Sequence, residues 1–119
     1  MKKKIFLIDI DNTICKTKNS NYSKSIPKKN IIKLINKLKK NGHYIKIYTA
    51  RYMGRYNQNI NKVKSLYYKK TYNQLISWNI KFDELILGKP SCDIMIDDKS
   101  LNPLQSNFEK KLNHIIKKI

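Results

Sequence analysis

The chain has 119 residues, enough for one α/β domain and too few for a second. It carries 26 basic and 8 acidic residues, a formal net charge of +18, and 40% of its residues are hydrophobic. No apolar run is long enough to span a membrane. The run from Ile5 to Ile8 is stopped by Asp9 and Asp11, too soon for the core of a signal peptide. We therefore expect a single domain over residues 1–119, located in the cytoplasm, without a membrane partner.

The excess of basic residues suggests nucleic-acid binding as one function. Lysine outnumbers arginine 24 to 2, however, and the chain is also rich in Asn, Ile and Tyr. These residues have A/T-rich codons, so a biased genome is sufficient to produce this composition. The lysines lie mostly on the predicted solvent faces of helices, which is typical of a solvated basic surface. Nucleic acid is therefore an alternative partner that the sequence does not favour.

The two cysteines, Cys15 and Cys92, lie far apart and form no C-x-x-C pair. This spacing speaks against a zinc site and against a disulfide framework. We expect both to be reduced thiols.

The first half of the chain begins with a strand and continues into a helix. Residues 4–10 are almost all apolar, which is typical of a strand buried on both faces. The polar residues 12–26 predict an extended loop or flap, and Pro27 suits the first turn of a helix. Apolar residues then recur at helical spacing until Asn41-Gly42 ends the helix. They are Ile31, Leu34, Ile35 and Leu38.

The second half repeats the alternation, starting with β-forming residues over His43–Thr49. The further predicted elements are a loop over 50–57, a helix over 58–78, a strand over 82–87, a turn at Gly88-Lys89-Pro90, a strand over 92–96 and a helix over 106–118. The apolar positions predicted for these two helices are Ile60, Val63, Tyr67, Leu75 and Trp78, and Phe108, Leu112, Ile115 and Ile119. This order of elements predicts an α/β fold with a doubly wound, mainly parallel sheet.

Polar residues follow the predicted strands at their carboxyl ends, where parallel sheets bind ligands. They are Asp9, Asp11, Thr49, Lys89, Asp97 and Asp98. Asp9 and Asp11 are two apart in an extended segment, so their side chains point the same way. Two carboxylates this close repel each other unless a cation or a shared proton intervenes. Mg²⁺ suits this role because it binds a few carboxylate oxygens together with water and phosphate.

Each of these residues also has an interpretation without function. Thr49 could be an ordinary threonine at a strand end, and Lys89 one more surface lysine. Asp97-Asp98 could cap the next segment, since aspartate is common at turns. The joint order and the strand-end placement of all four segments favour a functional site.

Four segments resemble the motifs of the haloacid dehalogenase (HAD) superfamily, in the order of that family. Asp-Ile-Asp-Asn-Thr after the first strand resembles motif I, and Ile-Tyr-Thr resembles motif II. Gly-Lys-Pro resembles motif III, and Ile-Met-Ile-Asp-Asp resembles motif IV. Tyr-Thr-Ala-Arg and Leu-Gly-Lys-Pro-Ser-Cys-Asp-Ile-Met-Ile-Asp-Asp-Lys are similar, more narrowly, to short HAD phosphatases associated with capsular polysaccharide biosynthesis. The resemblance covers residues 4 to about 99.

The resemblance implies a Rossmann-like core and a role for each motif residue. Asp9 would be the nucleophile that forms a phosphoaspartate, and Asp11 the general acid and base. Thr49 and Lys89 would contact the phosphoryl group. Asn12 takes the place of a commoner glycine, and we count it among the substrate-binding residues. Mg²⁺ would be held by Asp9, the Asp11 carbonyl and an aspartate of motif IV, with Asp98 as the direct ligand and Asp97 behind it.

The spacing of the motifs leaves no room for the cap domain that many HAD enzymes insert. Residues 12–26 supply only a flap, and residues 50–88 are used by one loop, one helix and one strand. We therefore expect an open site and a small phosphorylated metabolite, such as a sugar phosphate, as substrate. The alternatives are a macromolecular phosphatase, acting on a phosphoprotein or a nucleic-acid end, and a basic binding domain without turnover. The sequence fixes neither the exact substrate nor the oligomeric state.

Arg51 and Arg55, which both follow motif II, are the only two arginines of the chain. Where lysine is the usual cation, arginine indicates bidentate binding of phosphate or hydroxyl groups. We therefore predict that both bind substrate. The alternative is that either one pairs with a carboxylate of the protein.

Overall fold

The computed structural model describes residues 3–118, so Met1, Lys2 and the predicted helix residue Ile119 lie outside it. Its elements are β1 (Ile5–Ile8), β2 (Cys15–Lys16), a 3-10 helix (Tyr22–Lys24), β3 (Ile26–Pro27), α1 (Lys29–Lys40), β4 (Tyr44–Thr49), α2 (Ile60–Ser77), β5 (Glu84–Leu87) and α3 (Phe108–Lys118). The α/β class predicted from the sequence is confirmed. No helix in this part of the chain is both long and apolar enough to cross a membrane.

The main sheet has three parallel strands in the order β1-β4-β5. Its register places Ile8 level with Ile47, and Leu87 level with Thr49. Helix α1 connects β1 to β4, and helix α2 connects β4 to β5, in the same direction across the sheet. Since such crossovers are right-handed, both helices lie on one face. The sheet is parallel, as predicted, and consistent with a Rossmann-like core.

The core lies between the sheet and these two helices. Every second residue of β4 and β5 points towards them, and Leu38 of α1 and Leu75 of α2 are fully buried there. The inward residues of the two strands are Ile45, Ile47, Thr49, Leu85 and Leu87. On the other face, Ile5 and Leu7 of β1 are 68% and 59% exposed. The second helical layer that a doubly wound sheet requires is therefore missing over β1 in the described residues.

The predicted strand over 92–96 is wrong. Residues 90–102 are all exposed and contain neither strand nor helix. Ile94 and Ile96 are 81% and 96% exposed. Their apolar sequence has the composition of a strand, but a strand needs a neighbour to satisfy its backbone groups. Among residues 3–118, no strand pairs with this segment.

Smaller differences concern the helices. Pro27 belongs to β3 and not to a first helical turn, and α1 begins at Lys29. In α2, Val63 and Leu75 are buried as predicted, whereas Ile60 at its first turn is 45% exposed. The last helix begins at Phe108 and buries Leu112 and Ile116.

The polar segment over 12–26 forms a small flap. Strands β2 and β3 pair antiparallel within it, and the 3-10 helix lies between them. The flap leaves the carboxyl end of β1 and leads into α1. Cys15 in the flap is buried and Cys92 is exposed, and both are free cysteines in the structure.

Candidate active site

An open cavity of about 660 Å³ lies at the carboxyl end of the sheet. Four segments form its walls: the end of β1, the flap, the loop after β4 and the turn after β5. The residues that line it are Asp9, Asp11, Asn12, Thr17, Asn19, Ser20, Tyr22, Ala50, Arg51, Tyr52, Gly54, Arg55, Lys89, Pro90, Ser91 and Cys92. The structure thus brings together six of the predicted site residues: Asp9, Asp11, Asn12, Arg51, Arg55 and Lys89.

Asp9 and Lys89 form an ion pair in this cavity, with 3.7 Å between Oδ1 and Nζ. Burial raises the pKa of the Asp9 carboxyl, and the nearby charge of Lys89 partly offsets this. The backbone N–H of Lys89 donates to the carbonyl of Thr49 at 3.1 Å, which fixes the turn after β5. Gly88 has φ +95°, and a Cβ at this position would collide with Ile60. The turn that presents Lys89 therefore requires glycine.

Asp11 is held by Arg51 in a bidentate ion pair. The Nε and Nη2 atoms of Arg51 each donate to Asp11, at 2.9 Å to Oδ2 and Oδ1 respectively. Thr17 of the flap donates its hydroxyl to the same Oδ1. The two-point geometry fixes the orientation of the carboxylate and partly offsets the charge that repels Asp9.

Arg51 is itself buried and held on all sides. Its side chain is 2% exposed, and its Nη1 donates to Oε1 of Gln74 on α2. Gln74 in turn donates to the carbonyl of Tyr22 at 2.7 Å, and the guanidinium lies 4.9 Å from the centre of the Tyr22 ring. The donors of Arg51 are thus directed at protein groups. Of the two interpretations from the sequence, pairing with a carboxylate is the one that the structure shows for Arg51.

Arg55 is placed differently, although it lies in the same loop. It is exposed at the cavity rim, and its guanidinium lies 5.2 Å from the centre of the Tyr52 ring. The donors of an exposed arginine are accessible to a ligand. The geometry is therefore compatible with the predicted substrate contact of Arg55.

Thr49 and Asn12 occupy opposite positions relative to the cavity. Thr49 is fully buried and does not line the cavity, and its Oγ1 accepts from the backbone N–H of Arg51 at 3.1 Å. It stabilises the turn that carries Arg51. Asn12 lines the cavity with φ +59°, a left-handed conformation that asparagine tolerates better than most residues. Asparagine can therefore stand where glycine is commoner.

Asp97 and Asp98 do not line the cavity. Both are exposed, and Oδ1 of Asp97 accepts from the backbone N–H of Lys99 at 2.8 Å. This hydrogen bond lowers the pKa of the Asp97 carboxyl. The structure thus leaves Asp97 and Asp98 apart from the other predicted metal ligands, because the segment before them is not a strand of the sheet.

A wall of tyrosines beside the cavity was not predicted from the sequence. Tyr52 stacks on Tyr67 with ring centres 3.6 Å apart. The ring of Tyr22 contacts the ring of Tyr52 edge-on, with 4.7 Å between their centres. Tyr52 has φ +68°, which is rare for a bulky residue and turns the chain sharply after β4.

Thr17 and Gln74 were also not predicted as site residues, because their contacts depend on tertiary packing. The one usable signal was Gln74, a polar residue next to the apolar positions of α2.

The carboxylates in the cavity fit a magnesium ion. Within residues 3–118, no group of three or more His, Cys, Asp or Glu is arranged to hold a metal ion. Mg²⁺ commonly uses only one or two carboxylates, with water and substrate phosphate as its other ligands. Asp11 also contributes to the raised pKa of Asp9 through like-charge repulsion, which a cation would relieve. Asp9 and the backbone carbonyl of Asp11 are therefore suitable ligands.

Neither a protein-family model nor a curated protein matches the sequence. Among solved structures, the chain is similar to a structural genomics target from Vibrio cholerae. The two are 27% identical, the match covers 98% of each chain, and the TM-score is 0.82. This likeness extends over the whole α/β fold, including the segments that form the cavity, and it carries no information on activity.

Proposed function

We propose that this protein is a magnesium-dependent phosphatase that hydrolyses a phosphate monoester through a phosphoaspartate on Asp9. The observation that carries the proposal is the meeting of Asp9, Asp11 and Lys89 in one open cavity, at 3.7 Å for the Asp9–Lys89 pair. These residues come from separate segments that resemble motifs I and III of the HAD superfamily.

In the first half of the reaction, a carboxylate oxygen of Asp9 attacks phosphorus. The bond from phosphorus to the ester oxygen breaks, and Asp11, which enters this step protonated, gives its proton to the departing alcohol. Lys89 balances negative charge on Asp9 and on the phosphoryl group. When bound, Mg²⁺ would neutralise phosphate charge and orient the phosphoryl group for in-line transfer.

In the second half, Asp11 takes a proton from water, and the water oxygen attacks the phosphorus of the phosphoaspartate. The bond between Asp9 and phosphorus breaks, and inorganic phosphate leaves. Ester and water thus give alcohol and phosphate, with Asp9 and Asp11 restored. Arg51 and Thr17 hold Asp11 at the position from which it must act twice.

The open cavity admits a small phosphorylated metabolite without the closure of a cap. The hydroxyl-bearing and amide side chains at the rim are suited to a sugar phosphate, in keeping with the resemblance to phosphatases associated with capsular polysaccharide biosynthesis. A second candidate substrate, which we do not favour, is a nucleic-acid end, whose phosphates a chain of net charge +18 would attract. Contacts to many phosphates would give that activity a steep dependence on salt, whereas a sugar phosphate would give a shallow one.

The test is a phosphatase screen over phosphorylated metabolites and oligonucleotides with terminal phosphates. We expect hydrolysis of a sugar phosphate with Mg²⁺, loss with EDTA and recovery on adding Mg²⁺. Ca²⁺ should substitute poorly, because it prefers longer bonds and more ligands. Asp9→Asn is the matched control, since it keeps the shape and removes the nucleophile. Activity in rigorously metal-free protein, or substantial activity of Asp9→Asn, would contradict the mechanism.

A further inference from the structure

The outer edge of β1 is unpaired and apolar. Strand β1 lies at one end of the three-stranded sheet, and its only partner among the residues described is β4. Ile5 and Leu7 are exposed on the face beside this edge. A strand edge with free backbone groups and apolar neighbours is a template for the addition of another strand.

The segment over 92–98 has the composition of such a strand and no partner. Ile94, Met95 and Ile96 are all exposed, and no hydrogen bond in the described part of the chain involves the backbone of residues 92–96. Consecutive exposed apolar residues of this kind mark an interaction segment.

The residue patterns of the two segments match. In extended chains every second side chain lies on the same face. Ile5, Leu7 and Asp9 share one face of β1, and Ile94, Ile96 and Asp98 repeat the series of two aliphatic residues and one aspartate. A parallel pairing that sets Asp98 level with Asp9 would therefore also set Ile96 beside Leu7.

The chain cannot form this pairing with its own edge. The Lys89 amide is bonded to the Thr49 carbonyl at the carboxyl end of the sheet, beside β4 on the far side from β1. To reach a position level with Ile5, the chain would have to return at least about 16 Å along the sheet and cross three strand spacings, about 14 Å. The five residues from Lys89 to Ile94 span at most about 17 Å, less than the direct distance of about 21 Å. Parallel strands normally need a connection of a dozen or more residues.

We propose that residues 92–98 of a second copy of this chain pair with the outer edge of β1, in a reciprocal exchange that brings the Asp97–Asp98 pair to the partner's Asp9 and Asp11. The metal-binding part of this inference rests on the proposed function. Each cavity then receives its third and fourth carboxylates from the other copy. Reciprocal exchange is a closed, two-fold arrangement, so it ends at the dimer.

Charge supports this occupant over an unrelated partner. Asp97 and Asp98 are two of only eight acidic residues in a chain of net charge +18, and they would enter a cavity that contains Arg55 and Lys89. They would also approach Asp9 and Asp11, so Mg²⁺ should strengthen the dimer by relieving that repulsion. Salt should do so as well, because it screens the repulsion between two basic copies.

Cross-linking tests the exchange without reference to activity. Leu7→Cys and Ile96→Cys are introduced into separate Cys92→Ser chains, which are unfolded, mixed, refolded and oxidised. We expect a covalent dimer of twice 14.2 kDa from the mixture and none from either variant alone. Both positions are exposed within one chain, so neither change should prevent folding. The double variant in one chain should also give dimers, whereas an internally closed monomer would overturn the exchange, and so would the absence of any disulfide in the mixture.

Complementation connects the exchange to the site. Asp9→Asn is mixed and refolded with the double variant Asp97→Asn, Asp98→Asn. In an exchanged dimer one of the two sites of each heterodimer is intact, so about a quarter of wild-type activity and of high-affinity Mg²⁺ sites should return. Restored Mg²⁺ binding is read by calorimetry, independently of turnover.

If cross-linking fails while phosphatase activity is present, the exchange is wrong and the proposed function stands. If the dimer forms but no substrate is hydrolysed, the proposed function is wrong instead. A cross-linked dimer whose mixture recovers neither activity nor Mg²⁺ binding would overturn the shared site.

Discussion

The two pairs of aspartates in this chain have similar sequences and different surroundings. Asp9 and Asp11 follow a strand that is paired with β4, and Asp97 and Asp98 follow an apolar segment that is paired with nothing in the described residues. Burial raises the pKa of Asp9, whereas the Lys99 amide lowers the pKa of Asp97. The two pairs thus differ in burial and hydrogen bonding as well as in the pairing of the segment before them.

The largest effect is expected at the pair inside the cavity. Asp11→Asn should lower kcat on an alkyl phosphate by about 10²–10⁴-fold, because the departing alcohol loses its proton donor. The loss should be smaller on nitrophenyl phosphate, whose leaving group needs no proton. Steady-state kinetics on the two substrates measure this difference. An equal loss on both would argue against a general acid at Asp11.

An intermediate effect is expected at the exposed pair. Asp98→Asn should raise the Mg²⁺ concentration needed for half-maximal activity by at least about 10-fold, as for other groups that support a metal site. Saturating Mg²⁺ should restore most of kcat. Glu109→Gln, an exposed acid on α3, is the matched control and should leave the Mg²⁺ requirement unchanged. An unaltered requirement in Asp98→Asn would mean that this pair stays away from the cavity during turnover.

The two arginines provide a smaller, paired test of position. Arg51→Lys should lower kcat by about 10-fold or more, because lysine cannot reproduce the bidentate hold on Asp11. Arg55→Lys should raise KM for the true substrate and leave kcat on a small generic ester unchanged. Kinetics of both variants on both substrates separate the roles. The assignment of Arg51 as a positioning residue would be wrong if its variant changed only KM.

These contrasts also show how far the sequence could lead. Periodicity was sufficient for α1, α2, β4 and β5, because their inward apolar residues pack within the same chain. For β1 it predicted burial on both faces, whereas Ile5 and Leu7 are exposed on one of them. Periodicity was misleading for 92–96, since an apolar pattern typical of a strand does not say whether the sheet of the same chain has a strand edge within reach of that segment. The motif resemblance brought Asp9, Asp11 and Lys89 to one cavity correctly. It could not reveal Thr17 or Gln74, whose contacts with Asp11 and Arg51 arise only when flap, loop and helix are packed together.

The smallest effect concerns stability, and it has opposite signs at the two ends of the sheet. At the amino end, Asp83 accepts from the Ile45 amide at 2.8 Å and pairs with Lys39, and these contacts lower its pKa. At the carboxyl end, burial raises the pKa of Asp9. A carboxyl whose pKa is lowered in the folded state stabilises the fold at pH values above its ordinary pKa of about 3.9. This stabilisation is lost as the pH falls through the lowered pKa. A raised pKa does the reverse, so ionisation of Asp9 weakens the fold as the pH rises.

Asp83→Asn should therefore lower the free energy of unfolding at neutral pH by about 1 kcal/mol, a modest amount because the pair is partly solvated. Asp9→Asn should raise the melting temperature of the metal-free protein at neutral pH. Both differences should shrink when the pH is lowered below about 3.9, where the carboxyls are protonated in the unfolded chain. Thermal melts in EDTA at several pH values measure both. Asp83→Asn should retain phosphatase activity and Asp9→Asn should lose it. The less stable variant should therefore be the active one, and the more stable variant the inactive one. If Asp9→Asn were less stable than wild type in EDTA at neutral pH, the ionised Asp9 would be a stabilising group, and neither its burial nor its repulsion by Asp11 would weaken the fold.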